Sequence, residues 1–123
     1  MTKVLLAAPQ PDVRAALRLT VLDLDMQLVG EAVDWSSTMA LAIQTQPQML
    51  VVDWEVIPLE SGHTLAHLRA VCPAAVVIVL VSQLDSRQQA ALSTGADAFI
   101  SKGEMPDRVA ARLRAAANKV RLA

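Results

Sequence analysis

The sequence predicts an α/β fold in which a parallel sheet carries helices on both faces. Three observations predict it. Short runs rich in Val, Leu and Ile alternate with longer segments of helical period, the pattern of parallel strands joined by helical crossovers. The run VVIVLV at 76–81 is apolar at every position, as suits an interior strand covered on both faces. Two further runs, MLVVD at 49–53 and GADAFISK at 95–102, end in a charge, at the strand ends where such sheets hold their ligands.

The totals agree with one folded unit. A chain of 123 residues is long enough for a single two-sided core, so residues 1–123 are expected to form one domain. With 54% hydrophobic residues, 19% charged and four glycines, disorder and low complexity are excluded. No run approaches the roughly 18 to 20 apolar residues that span a bilayer, and the apolar stretch before Pro9 is too short for a secretion signal. The expected location is the cytoplasm, with no membrane partner. Cys72 is the one cysteine; it permits no internal disulfide and reads as a small apolar filler.

Five strands are expected, at 3–7, 27–32, 49–52, 76–81 and 98–101, each followed by a helix. The 27–32 run is mixed in polarity and suggests an edge, whereas 76–81 is placed centrally. The first helix opens at Pro11, where a missing N–H costs nothing, with Asp12 favouring its positive end and Val13, Leu17, Thr20 and Val21 on one face. The second begins near Ser36 or Ser37, either of which could cap it, and presents Met39, Ala42 and Ile43. The third covers about 61–71 with Leu65 and Leu68 inward. A fourth, about 85–94, is mostly polar and stops at Gly95. The fifth starts at Pro106 with Val109, Leu113, Ala116 and Val120 on one stripe and its Arg and Lys residues mostly off it.

The residues just past the strands are the ones to inspect for chemistry: Ala8 and Pro9, Asp53, Leu80 to Ser82, and Lys102. Only Asp53 and Lys102 carry charge. A carboxylate ending an apolar strand needs a partner, or else it caps a turn through its own backbone. Lys102 arrives at the same side of the sheet from a second strand, and a lone buried charge of either sign is costly.

Taken in order, VLLA, VGEA at 29–32, QPQMLVVD at 46–53, Pro58, Gly62, GADAF at 95–99 and Lys102 resemble a response-regulator receiver domain over about residues 3–120. The resemblance implies a flavodoxin-like three-layer sandwich, with a five-stranded parallel sheet of order 2-1-3-4-5 and five helices. VGEA, GAD and the residue after Lys102, which is not proline, are most similar to receivers that precede a helix-turn-helix output domain, which is not among these 123 residues. Receivers phosphorylate themselves on an aspartate with a divalent ion, usually Mg²⁺, held by a carboxylate cluster, while a lysine and a hydroxyl hold the phosphoryl oxygens. By resemblance Asp53 corresponds to the acceptor and Lys102 to the lysine.

Other positions depart from the pattern. The acidic pair that supplies most of the metal-binding charge falls on Ala8 and Pro9, and Mg²⁺ is a poor fit to Asp53 alone. Phosphoryl transfer depends on positioning and charge neutralisation, so most of that activity should be lost. Asp12 and Glu55 are the nearest replacement carboxylates; a helix-dipole role for Asp12 and a solvated loop for Glu55 account for them more simply. The switch hydroxyl falls on Leu80 or Val81, neither able to donate, with Ser82 one residue further on. Between Asp53 and Pro58 the chain has one residue more than usual, and Trp54 stands beside the acceptor. Phe99 matches the aromatic switch position, although strand packing explains an aromatic there equally.

With no acidic pair and no metal between them, Asp53 and Lys102 are expected to pair directly and hold one conformation. The chain then reads as a degenerate receiver, not an enzyme, that needs no cofactor, binds Mg²⁺ weakly or not at all, and acts in signal transduction through protein–protein contacts. Its candidate partners are a histidine kinase, an output domain, or a second copy meeting it through the fourth helix, fifth strand and fifth helix or through the fifth helix alone. The alternative is a working receiver that accepts phosphate on Asp53 with weakened metal dependence. His63 and His67 stand four apart but lack the Glu and third ligand of a zinc site. A flavin or nucleotide site would need amide donors in the first loop, where AAPQPD offers two prolines and no glycine. The net charge of -1 and scattered basic residues make a solvated face, not nucleic-acid binding, the reading of the last helix.

Overall fold

The computed structural model describes residues 1–58, 64–82 and 96–122. Five parallel strands, β1 (Lys3–Ala7), β2 (Gln27–Ala32), β3 (Met49–Asp53), β4 (Val76–Val81) and β5 (Ala98–Ser101), form one sheet in the order β2-β1-β3-β4-β5. The helices described are α1 (Pro11–Asp23), α2 (Trp35–Thr45), α3 (Thr64–Val71) and α4 (Pro106–Leu122). The last of these is the fifth helix expected from the sequence; the expected helix at 85–94 lies outside the described residues. β2 is an edge, as its mixed composition predicts. β4 is interior, between β3 and β5, although the middle strand is β3.

Side chains of a strand alternate between the two faces, which explains the unbroken apolar runs. Leu5, Leu50, Val52, Val77, Val79 and Val81 pack on one side with Ala42 of α2 and Leu65 and Leu68 of α3. On the other side Val4, Leu6, Met49, Val51, Ile78, Leu80 and Ile100 meet Leu17 and Val21 of α1 and Leu113 of α4. A fully buried Leu such as Leu68 contributes about 1.5–3 kcal/mol of transfer free energy. Gly30 on β2 allows α2 to come close, since a Cβ there would lie 3.1 Å from Leu5 Cδ1 and 3.4 Å from Leu41 Cδ1.

The helix ends sharpen two expectations. α2 begins at Trp35 and is capped by Asp34, whose Oδ1 accepts from the Ser37 N–H at 2.8 Å and the Ser37 hydroxyl at 2.5 Å. Ser36 and Ser37 are therefore inside the helix, because Asp34 offers its carboxylate to the orphan amides first. These two bonds hold the Asp34 carboxyl below its ordinary value. Ile43 faces solvent at 56% exposure, so only Met39 and Ala42 of the expected stripe pack inward. Gln46 closes α2 in the left-handed region at φ 46°, and its amide Nε2 donates to the carbonyls of Ala42 and Ile43 and, at 3.1 Å, to that of Val71 on α3.

The β1–β2 pairing contains an irregularity. Val4 opposes Leu28 but Leu5 opposes Gly30, so Val29 is an extra residue on the edge strand, a β-bulge.

Candidate functional site

The site is built where β1, β3 and β5 end. Asp53 continues the face of Met49 and Val51 and is 0% exposed. Its two oxygens have different tasks. Oδ1 accepts from the Glu55 N–H at 2.9 Å and caps a 3₁₀ turn, Trp54–Val56. Oδ2 lies 2.7 Å from Lys102 Nζ, a close ionic contact that is not aligned as a hydrogen bond. Thus both expectations for a strand-end aspartate are met at once: it caps its own turn, and it meets the lysine delivered by β5.

Lys102 is placed by its backbone, whose N–H donates to the Val81 carbonyl at 2.8 Å and so keeps the residue beside the end of β4. Its side chain is 18% exposed, and its ammonium also lies 3.5 Å from Glu55 Oε2. Glu55, expected as a solvated loop residue, is thus a second and more exposed carboxylate on the same cation. Its placement follows from the Asp53-capped turn that aims it back over the strand end.

The first loop is blank of acid and is held by a base. Ala8 is buried and Pro9 exposed. Arg14 Nη1 on α1 donates to the Ala8 carbonyl at 2.8 Å and to the Pro9 carbonyl at 3.2 Å. Its Nε is 3.7 Å from Glu31 Oε1, and Arg18, one turn on, makes a two-pronged pair with Glu31 at 2.9 Å through both Nε and Nη2. The Arg18 hydrogen bond holds the Glu31 carboxyl below its ordinary value, against a smaller opposing effect of burial. Sequence reasoning missed this clamp; two arginines four apart on one helix were the available signal. Asp12 is exposed at the start of α1, with no ion pair or hydrogen bond among the described residues.

The residues expected at the switch positions are apolar or exposed. In register Asp53 pairs with Leu80, and Leu80 and Val81 are both buried. Ser82 is exposed. Phe99 is half-buried and packs against the α2 and α3 side of the core, as Trp54 does. Gly62 and His63 lie outside the described residues, while Pro58 and His67 are exposed. Among the described residues no group of three His, Cys, Asp or Glu side chains comes together to hold a metal ion. Cys72 is buried, its Sγ 3.5 Å from the Ala42 carbonyl, and burial pushes its thiol up. No described helix is long and apolar enough to cross a membrane.

No family model matches the sequence. Curated proteins do. The chain is 27% identical over 114 residues to the nitrate/nitrite response regulator protein homolog of Haemophilus influenzae, covering 91% of this chain and 55% of that protein. It is 27% identical over 118 residues to the transcriptional regulatory protein YxjL of Bacillus subtilis, covering 94% and 54%. The chain thus spans about half the length of the curated relatives it matches. Among solved structures, the signal receiver domain of a modulated diguanylate cyclase from Desulfovibrio desulfuricans superposes with a TM-score of 0.81 at 22% identity, over 99% of this chain and 98% of that one. The isolated receiver domain of RcsB from Salmonella enterica gives 0.82 at 18%, over 96% and 88%. A CheY-like receiver domain protein from Methanospirillum hungatei gives 0.83 at 12%, over 98% and 97%. The chain therefore has the flavodoxin-like fold of receiver domains, and its curated relatives are response regulators.

Proposed function

We propose that this chain is the receiver domain of a response regulator and that it signals by protein–protein contact without a phosphorylation switch. The observation that supports the reading is the first loop, where Arg14 covers the carbonyls of Ala8 and Pro9, the two residues that the resemblance places at the acidic-pair positions. Mg²⁺ demands near-octahedral oxygen ligation and is normally bound through one or two carboxylates plus phosphate oxygens. The two carboxylates at hand, Asp53 and Glu55, already share the Lys102 ammonium. The donor set does not fit the ion, so no catalytic step is routed through it and no residue here is given a catalytic role.

In this reading Asp53 keeps the acceptor's place but serves as a structural anchor. Lys102, which would otherwise hold a phosphoryl oxygen, neutralises the empty carboxylate. Leu80, beside Asp53 in register, has no hydroxyl to follow a change of charge. The partner is a protein, a histidine kinase or an output domain of the same regulator, and the docking face assigned to it is that of the helix expected at 85–94, β5 and α4. The whole is taken to work in the cytoplasm.

Incubation with a small acyl phosphate and Mg²⁺, read by intact mass, tests the reading. The expected result is no Mg²⁺-dependent gain of a phosphoryl group. A gain that requires Mg²⁺ and disappears in Asp53→Ala would establish the opposite case, a working receiver with reduced metal dependence.

A further inference from the structure

On the face of the sheet that carries Asp53, a cavity of about 340 Å³ opens between α1, α4 and the ends of β4 and β5. That is within the usual range for small-molecule sites. Its walls are apolar, formed by Val13, Leu17, Leu80, Ile100, Pro106 and Val109, and polar groups from Asp12, Thr20, Ser101, Lys102 and Glu104 reach it.

Nearly all of those polar groups are already engaged. Glu104 takes Arg112 through both oxygens, at 2.9 Å and 2.8 Å. Thr20 donates to the Ala16 carbonyl at 3.0 Å, and Ser101 Oγ accepts from the Gly103 N–H at 3.3 Å. Lys102 is committed to Asp53 and Glu55. Of the charged side chains in this lining, the Asp12 carboxylate, exposed on the first turn of α1, has no ion pair among the described residues.

The exposed Asp12 carboxylate favours a cationic ligand. An anion would compete with Asp53 and Glu55 for the Lys102 ammonium, and any weakening of that contact with the buried Asp53 is costly. A cation faces no such competition, since Asp12 is free to meet it while an apolar body fills the space between Leu17, Ile100 and Val109. We infer that the cavity is a binding site for a small organic ammonium ion with an apolar body, anchored by Asp12. The inference rests on the Lys102–Asp53 pair of the unmodified chain.

Titration of the ¹⁵N-labelled chain with n-hexylammonium, n-hexanol and n-hexanoate, followed by amide shifts, tests it. Hexylammonium should give saturable shifts centred on Val13, Leu17, Ile100 and Val109. It should bind about threefold tighter than hexanol, the factor an exposed ion pair supplies, with hexanoate weakest. In Asp12→Asn, checked for folding by its thermal transition, the ammonium should lose its advantage over the alcohol. In Val109→Trp, checked for folding by its thermal transition, all three should bind less. Equal binding of ammonium and alcohol to the unaltered chain would overturn the assignment, as would tightest binding of hexanoate, an unchanged preference in Asp12→Asn, or no saturable shift with any probe.

Discussion

Replacing Lys102 by Met removes the ammonium 2.7 Å from Asp53 Oδ2 and fills the same space with an apolar chain. What remains is a carboxylate with 0% exposure that, among the described residues, retains only the Glu55 N–H on its other oxygen. Breaking one half of a buried pair typically costs about 3–5 kcal/mol. The 18% exposure of the lysine side chain lets some water reach the pair, which argues for about 3 kcal/mol, the lower end of that range. In urea, with a slope of about 1.5 kcal/mol per molar for a domain of this size, the midpoint should fall by about 2 M. The reverse substitution, Asp53→Asn, behaves differently. An Asn carbonyl still caps the Glu55 amide, and Lys102 keeps Glu55 at 3.5 Å together with access to solvent. Its cost should be about 1 kcal/mol or less, the value of a modest hydrogen bond. The double variant should recover much of the Lys102→Met loss, because no stranded charge is left. Urea denaturation of the four proteins reads all of this. If Asp53→Asn were as damaging as Lys102→Met, or if the double variant simply summed the two losses, the buried carboxylate would not be the source of the cost.

Two further outcomes follow from the first loop. Arg14→Ala leaves the partly buried Ala8 carbonyl without its 2.8 Å donor, which should cost about 1–3 kcal/mol by urea denaturation and speed hydrogen exchange at the start of α1. The Glu31 carboxyl, held low by Arg18, stabilises the fold above its ordinary pKa, and that contribution fades as the pH falls through the lower folded value. A denaturation series across the acid range should therefore slope less in Glu31→Gln, and an unchanged slope would show that the pair carries no linkage; the effect is small because both side chains are partly exposed.

Strand limits and the meeting of Asp53 with Lys102 were legible because both depend on period and on strand ends, which the sequence displays directly. The clamp of Arg14 was not legible. Its partners are carbonyls of Ala8 and Pro9, groups that every residue owns, so no residue type announces them. The Asp34 cap was passed over for Ser36 and Ser37 because all three are good capping residues, and only the backbone decides which comes first. Ile43 shares a helical period with Met39 and Ala42, yet it is 56% exposed while those two pack inward, because period alone does not say where the covered stripe ends. The cavity under Lys102 depends on the separation of α1 from α4, a distance that no local pattern encodes.

The extra residue at Val29 on β2 has a consequence for how copies of this chain can meet. An exposed strand edge invites a neighbour to continue the sheet, and a bulge spoils that template by twisting the edge and breaking its spacing of donors and acceptors. At high concentration the β2 edge should resist fibre-like stacking, so contacts between copies on that side of the sheet are left to side chains rather than to backbone.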